Sequence, residues 1–300
     1  MNQYVGIDVS KAMLDVAVLS GDSQGFLNTE SGWAELSQML ANLKPTCIVL
    51  EATGGYEKGI FLELLELGLP IVRVNPRRVR DFAKATGVLA KTDQLDAQVL
   101  ARYAQAINPA IRQIKGDEKL RALVSRRRQF LEIQTQEKNR AQQKQEPEIQ
   151  QDIQETLIWV KEKLSKLNKQ IEAILLLSPV AECLRSVTGV GRVAAATLMS
   201  ELPELGQVSG KEIAALAGLA PYNCDSGQYR GKRKIFGGRR TVRTCLYMSA
   251  MSAKRYYPAI KEFYERLRQA GKPFKVAITA CMRKLLVILN AKVKEHLSLT

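Results

Sequence analysis

Histidine and paired cysteine, which build many metal and acid–base sites, are scarce in this sequence. Its 300 residues include one histidine, His296, and five cysteines that form no CxxC pair. Cysteines without metal-ligand spacing argue against a zinc site and against a disulfide framework. A single histidine, placed near the end of the chain in a predicted basic helix, also argues against histidine as the general base of a reaction.

Two features of exported and membrane proteins are missing as well. The sequence shows no charged and then apolar leader, and no uninterrupted apolar run is long enough to cross a bilayer. We therefore expect a protein that stays in a reducing cytoplasm.

Acidic residues are outnumbered by basic ones. The chain has 45 lysines and arginines against 30 aspartates and glutamates, a formal net charge of +15 and a pI near 9.6. Such an excess favours a polyanionic partner, and the phosphate backbone of nucleic acid is the obvious candidate. A solvated basic surface with no nucleic-acid partner is the alternative.

Four of the acids occupy positions that predict chemistry. Asp8 lies in an apolar strand-like run, where a carboxylate is costly to bury without a cation. Glu51 ends an apolar run just before a glycine turn, where a parallel strand of an α/β sheet delivers a functional side chain. Asp93 and Asp96 lie three residues apart on one face of a predicted helix. If the four carboxylates converge, their oxygens suit Mg²⁺ or Mn²⁺, and two such ions roughly 3.5–4 Å apart assist phosphoryl transfer.

The order of predicted elements divides the chain into three parts. Over residues 1–112, strands and amphipathic helices predict an α/β sheet with mixed strand directions, the layout of a ribonuclease-H-like (resolvase-like) core. Residues 113–178 have periodic apolar positions among Gln, Glu, Lys and Arg, which predicts two long helices broken near Pro147. This helical arm would form an antiparallel pair or a coiled coil with another subunit, and we interpret it as a spacer and oligomerisation arm. Residues 179–300 are predicted to be helical around one polar loop.

Two stretches of the third part predict nucleic-acid binding. Gly189 and Gly191 flank a valine between helical segments, the pattern of a helix-hairpin-helix, in which backbone N–H groups approach a phosphate. An ordinary capped turn between helices is the alternative. The loop 217–240 is dense in glycine and in basic residues with aromatic residues interleaved, which suits a nucleic-acid backbone. Its candidate contacts are Arg230, Lys232, Arg233, Lys234, Arg239 and Arg240.

Ser226 is the candidate nucleophile of that loop. It stands beside Gly227, and a serine next to a glycine in a polar loop is expected to be exposed. A Ser-Gly pair by itself is usually only a turn, so the prediction depends on its neighbours.

Motifs distributed in order over nearly the whole chain carry a resemblance to a known family. They are Gly6 to Lys11, Glu51-Ala52-Thr53-Gly54, Asn75-Pro76, Lys91-Thr92-Asp93 with Asp96-Ala97, Gly189-Val190-Gly191, Gly218-Leu219-Ala220-Pro221, Ser226-Gly227 and Arg243 to Met248. The set resembles the DEDD transposases of bacterial insertion sequences, which are also called bridge recombinases and have the site-specific pilin-gene invertases as relatives. No single motif would identify the family; the ordered set is specific.

The resemblance implies an N-terminal ribonuclease-H-like domain, a coiled-coil arm and a C-terminal transposase domain. It implies that Asp8, Glu51, Asp93 and Asp96 bind Mg²⁺, and that Ser226 attacks DNA to form a covalent phosphoserine link. It further implies a homo-oligomer, a dimer or tetramer, that works on element ends and target DNA at the bacterial nucleoid. Some members of the family are guided by a structured RNA from the element's own non-coding end.

Three other functions share some of these features. A hydrolytic metal-dependent nuclease or Holliday-junction resolvase would use the four acids without a serine nucleophile. An actin-like or sugar-kinase ATPase shares the Gly6-Ile7-Asp8 turn, but its second glycine-rich phosphate loop is replaced here by a basic arm and helices. A nucleic-acid scaffold without catalysis predicts that Asp8→Ala leaves every activity unchanged.

Overall fold

The molecule falls into two compact units, Met1–Gln113 and Ile114–Thr300. The computed structural model describes residues 2–88, 93–111, 116–223, 225–227, 229–231 and 233–299, with the backbone alone at 93, 94, 229 and 230. The first unit mixes a sheet with helices, and the second is almost entirely helical, as the sequence predicts. Within the described residues, no helix combines the length and the apolar character needed to cross a membrane.

A five-stranded sheet with the strand order β3-β2-β1-β4-β5 organises the first unit. Its strands are β1 (Tyr4–Val9), β2 (Met13–Val18), β3 (Ser23–Leu27), β4 (Cys47–Glu51) and β5 (Ile71–Val74). The first three strands are antiparallel neighbours, whereas β1, β4 and β5 run parallel. The sequence predicts only the first two strands of this antiparallel part. Strand β3 escapes prediction because glycine and polar residues dominate it, and it forms by pairing with β2 at the sheet edge.

Helices cover both faces of the sheet. They are α1 (Glu30–Leu43), α2 (Lys58–Glu66), α3 (Pro76–Ala85) and α4 (Asp93–Ile107). Since side chains alternate along a strand, one face of the sheet packs on α1 and α2, and the opposite face packs on α3 and α4. Residues on the α4 side of β1 and β4 therefore share a layer, which includes Val49 and Leu100.

Two long helices, α5 (Glu118–Ala141) and α6 (Pro147–Leu176), open the described part of the second unit. They pack antiparallel, because Leu120 near the start of α5 contacts the end of α6, and Phe130 further along contacts its middle. The predicted break near Pro147 is confirmed: this proline is the first residue of α6, where its missing N–H costs no hydrogen bond.

The remaining helices enclose one core. They are α7 (Pro179–Arg185), α8 (Arg192–Glu201), α9 (Gly210–Leu216), α10 (Arg240–Tyr256), α11 (Pro258–Gln269) and α12 (Phe274–Leu299). Between α9 and α10 lie four two-residue strands, β6 (Pro221–Tyr222), β7 (Asp225–Ser226), β8 (Tyr229–Arg230) and β9 (Lys234–Ile235). Strand β6 pairs with β9 and β7 pairs with β8, both antiparallel, so the predicted polar loop is a nested hairpin.

Candidate active site

Two of the predicted acids lie side by side at the carboxyl ends of parallel strands. Asp8 follows Ile7 in β1, Glu51 follows Leu50 in β4, and Ile7 pairs with Leu50 in the parallel ladder. Both acids are half-buried. Because Val49 faces the α4 layer, the two-residue period places Glu51 on that same face, and Asp8, two residues after Gly6, shares it.

Helix α4 brings a third acid to this face. At Gly6, an added Cβ atom would lie 2.6 Å from the Cβ of Leu100 and closer still to the carbonyl oxygen of Ala97. The helix backbone therefore lies directly against β1, and this is possible only because residue 6 has no side chain. Asp96, adjacent to Ala97 and half-buried, is placed near the strand that carries Asp8.

Asp93 is the first residue of α4, almost one turn before Asp96. Its side chain lies outside the described residues, as do Lys91 and Thr92 of the same motif. The structure therefore brings Asp8, Glu51 and Asp96 to one edge of the sheet, and it places only the backbone of Asp93.

A further carboxylate, which sequence reasoning did not select, lies across from Asp8. Asp15 in β2 is the direct antiparallel partner of Asp8, and both side chains are half-buried. Directly opposed like charges destabilise a sheet unless a cation or hydrogen-bond donors compensate them. Both acids take part in polar interactions of this structure. The signal in the sequence was the apolar-acid-apolar alternation that the two strands share.

The described acids suit a hard divalent cation by their chemistry. Carboxylate oxygens are the ligands that Mg²⁺ and Mn²⁺ prefer. Among the side chains that the structure describes, which exclude that of Asp93, no group of three or more His, Cys, Asp or Glu residues is arranged to hold one ion.

Glu57 is buried below the turn that follows Glu51. Its side chain is only 5% exposed, and its Oε2 accepts hydrogen bonds from the backbone N–H groups of Thr53 at 3.2 Å and Gly55 at 2.8 Å. Its Oε1 lies 3.4 Å from a guanidinium nitrogen of Arg73. This carboxylate fixes the turn that directly follows the candidate ligand Glu51, and the sequence analysis did not select it.

Asn28 connects the two loops that leave the acid-bearing strands. Its Nδ2 donates to the carbonyl oxygens of Ser10 at 2.8 Å and Tyr56 at 3.3 Å, and its Oδ1 accepts from Trp33 Nε1 at 2.8 Å. The loop after β1 and the loop after β4 are thereby held together beside the acid edge. Nothing in the local pattern around Asn28 indicated this bridge.

Ser226 lies at the inner turn of the nested hairpin in the second unit. It pairs with Tyr229 across a two-residue connection and is exposed. Gly227 begins that connection with φ +54°, in the left-handed region that glycine adopts without strain. The Oδ1 of the neighbouring Asp225 accepts a hydrogen bond from Gly231 N at 3.1 Å, which closes the turn.

The base of this hairpin is anchored by close packing and by an ion pair. The chain segments at Gly218 and at Gly237-Gly238 are in close contact: a Cβ atom on Gly238 would collide with the backbone of Gly218, and one on Gly218 would collide with the carbonyl oxygen of Gly237. Arg239 makes a bidentate pair with Glu204 at 2.5 and 2.6 Å, and its backbone N–H donates to Leu216 O at 2.9 Å. Arg239, which was predicted to contact nucleic acid, is therefore bound to Glu204 and anchors the base of the hairpin.

The other predicted nucleic-acid contacts are distributed along the hairpin. Lys234 is exposed in β9, Arg233 is exposed just before that strand, and Arg240 is exposed at the first position of α10. The side chain of Arg230 and the whole of Lys232 lie outside the described residues.

The two glycines of the turn before α8 have different surroundings. Gly189 has φ +100°, and an added Cβ there would lie 2.8 Å from the carbonyl oxygen of Ser249 in α10, so this glycine permits the turn to pack on α10. Gly191, which precedes α8, has open space where a Cβ would be.

Known proteins match the chain over both units. The IS110 DEDD transposase model matches residues 5–144, and the model described as the IS116/IS110/IS902 transposase family matches residues 181–265. The acid edge lies within the first match and Ser226 within the second. These matches define the class as transposases of insertion sequences.

Relatives that match almost end to end narrow this class. The pilin gene-inverting protein of Moraxella lacunata is 29% identical over 310 residues, covering 98% of this chain and 96% of that protein. The protein of the same name from Moraxella bovis shows the same identity and coverage. An IS110 insertion-element protein of Streptomyces coelicolor is 30% identical over 142 residues, which are 47% of this chain and 35% of that protein. The chain belongs to the IS110/IS116 family of transposases and DNA invertases, enzymes of DNA recombination whose partner is DNA.

Proposed function

We propose that this chain cleaves and rejoins DNA strands through a covalent phosphoserine intermediate on Ser226, with the help of Mg²⁺ or Mn²⁺. One observation carries the proposal: strand register and the close approach of α4 bring Asp8, Glu51 and Asp96 to one edge of the sheet. The chain as a whole has a net charge of +15, whereas this edge of the sheet collects carboxylates, and a bound cation would offset the cost of placing these negative charges together.

Three features of the fold belong to the same proposal. The strand order with β1 at its centre and β2 antiparallel supports a ribonuclease-H-like core. The antiparallel pair α5 and α6 supports a coiled-coil arm, and the glycine turn between α7 and α8 supports a helix-hairpin-helix.

Asp8, Glu51, Asp93 and Asp96 would hold the metal. When bound, such ions polarise the scissile phosphate and offset the negative charge that develops on its oxygens. Glu57 and Asn28 have a supporting role in this proposal, because they hold the loops that follow the acid-bearing strands.

Ser226 is proposed to attack phosphorus with its Oγ. The O–H bond of Ser226 and one P–O bond to a sugar oxygen break, an Oγ–P bond forms, and the departing sugar oxygen takes up a proton. The product is a phosphodiester between serine and DNA together with a free sugar hydroxyl. Because one diester replaces another, the reverse attack by a sugar hydroxyl can rejoin strands without an external energy source.

A homo-oligomer and an RNA guide complete the proposal. Ile158 and Trp159 are 60% and 47% exposed on α6, and large exposed apolar side chains on a helical arm support pairing with a second copy. The net charge supports a second polyanion besides DNA, such as a structured guide RNA. The place of action would be the bacterial nucleoid, where the DNA substrate lies.

The test is to trap the covalent adduct. The protein, with any RNA that copurifies, is incubated with Mg²⁺ and labelled duplexes that carry the sequences flanking its gene, and then denatured. We expect a labelled protein–DNA adduct that is lost in Ser226→Ala and in Asp8→Asn. The matched control is Ser186→Ala, an exposed serine of the same unit whose hydroxyl donates to the carbonyl oxygen of Cys183 at 2.7 Å.

The outcomes separate the competing functions. Strand cleavage without an adduct, or full activity of Ser226→Ala, would replace the proposal with a hydrolytic nuclease or resolvase. Retained adduct formation by Asp8→Asn would remove the metal-binding role of the acid edge.

A further inference from the structure

A groove in the second unit is walled by arginines from both the helical arm and the C-terminal helices. It lies between α5, α8 and α10 and has a volume of about 1130 Å³. The basic residues that line it within the described part of the chain are Arg127, Arg128, Arg192 and Arg240, and the carboxylate of Glu132 also lines it. We call it the arginine groove. This volume lies at the upper end of the roughly 300–1,000 Å³ of small-molecule sites, so the groove has room for a segment of a macromolecule.

Two of these arginines are held in place on the arm. Arg127 Nε donates to Asn168 Oδ1 at 2.7 Å, and an Arg128 guanidinium nitrogen donates to Thr241 Oγ1 at 2.6 Å and lies 3.8 Å from Glu201. Burial lowers the pKa of Arg127, but a guanidinium remains protonated at neutral pH. These contacts hold two positive charges of α5 on the wall of the groove.

The opposite wall presents two arginines with exposed side chains. Arg192 has a side chain that is 65% exposed and lies 3.7 Å from Glu172. Arg240 is exposed at the start of α10. Guanidinium groups match phosphate oxygens with paired hydrogen bonds. Among the described residues, the two walls together present four guanidinium groups, two of which, those of Arg128 and Arg192, also lie near a carboxylate outside the lining.

The chemistry of the lining indicates which nucleic acid fits. Gly191 leaves open space at its Cβ position, and Thr241 and Thr244 add hydroxyl groups. Among the described residues that line the groove, none is aromatic. Proteins that bind single strands usually stack bases on aromatic side chains, whereas duplex backbones are held by arginine, hydroxyl and backbone groups.

We propose that the arginine groove holds the phosphodiester backbone of duplex DNA, with the arm helix α5 as one of its walls. DNA is the occupant because the chain belongs to a family of DNA recombination enzymes. The arm is then part of the binding surface as well as a spacer. The inference does not depend on the phosphoserine chemistry, and it is tested without it.

The test measures binding under conditions that prevent catalysis. Fluorescence anisotropy of a labelled random-sequence DNA duplex is followed in EDTA from about 50 to about 200 mM salt. The double variant Arg192→Gln/Arg240→Gln is compared with wild type and with Arg255→Gln. Arg255 is the matched control, because it is an exposed arginine of α10 that does not line the groove.

The expected result follows from counterion release. Each phosphate contact contributes about 0.9 to the slope of log Kd against log salt, so the fourfold salt step should weaken the double variant about twelvefold less than wild type. Arg255→Gln should keep the wild-type slope. An unchanged slope in the double variant, or an equal change per arginine in Arg255→Gln, would overturn the proposal.

Two further outcomes identify the occupant. Preferential loss of affinity for an RNA duplex, with DNA binding intact, would assign the groove to RNA and refute the DNA proposal. Loss of single-stranded DNA binding alone would also refute it. Because no step needs metal or Ser226, failure here is distinguishable from failure of the adduct experiment.

Discussion

Gly6→Ala tests whether the contact between α4 and β1 sets the acid edge. The added Cβ would lie 2.6 Å from Leu100 Cβ and still closer to the carbonyl oxygen of Ala97, and these groups belong to a buried helix that cannot rotate away. To restore ordinary contact, α4 must retreat by about 1 Å, and overpacking of this severity costs about 3 kcal/mol. Asp96 would move with the helix. A misplacement of about 1 Å in catalytic geometry costs on the order of 100-fold in rate.

Unfolding in urea measures the structural part of this effect. In a Trp159→Phe background, the fluorescence of Trp33 reports on the first unit, because these are the only two tryptophans. A loss of about 3 kcal/mol should lower the urea midpoint by about 1–3 M. Gly25→Ala is the control: its Cβ would meet only the flexible end of Met13, at 3.3 Å, on the edge strand. If Gly6→Ala had the midpoint and adduct yield of Gly25→Ala, the reasoning would be refuted.

Three other substitutions each test the role of one side chain in stability. Glu57→Gln should destabilise the first unit by about 1–3 kcal/mol, because the substitution removes the negative charge and replaces one buried acceptor oxygen with an NH₂ group that can only donate. An unchanged urea midpoint would contradict this prediction. Glu204→Gln removes the charged partner of Arg239, so the base of the hairpin should become more mobile and trypsin should cleave faster within residues 221–235. A cleavage rate equal to that of wild type would show that the ion pair does not anchor the hairpin. Burial raises the pKa of Cys245 to about 11, from an ordinary value of 9.0. Between pH 9 and pH 11 the thiol is ionised in the unfolded chain but still protonated in the folded one, so the free energy of unfolding should fall as the pH rises through this range. When unfolding is measured at pH 9 and at pH 11, the fall should be smaller in Cys245→Ala than in wild type.

Local patterns were sufficient to predict the main elements and to select four acids as candidate metal ligands, a role that stays a prediction. The apolar alternation around Asp8 predicts a strand because a half-buried strand has a two-residue period, and the continuous apolar run that ends at Glu51 predicts a strand that is buried on both faces. The break at Pro147 was predictable because proline lacks the N–H that a helix interior needs. Ser226 could be selected as a candidate only through its basic and glycine-rich surroundings, and its role as nucleophile stays a prediction.

What the sequence by itself determined is therefore the type of element at each position and the chemistry that each element carries. Only the tertiary structure decided which distant residues meet. It paired Glu57 with the turn after Glu51, clamped Arg239 to Glu204, and opposed Arg128 of the arm to Arg240 of α10 across one groove. These contacts depend on packing and strand register between segments far apart in the chain. A local sequence pattern determines whether a segment is helix or strand through short-range sterics and hydrogen bonding. Contacts between distant residues form only when whole faces of helices and of the sheet are buried against one another.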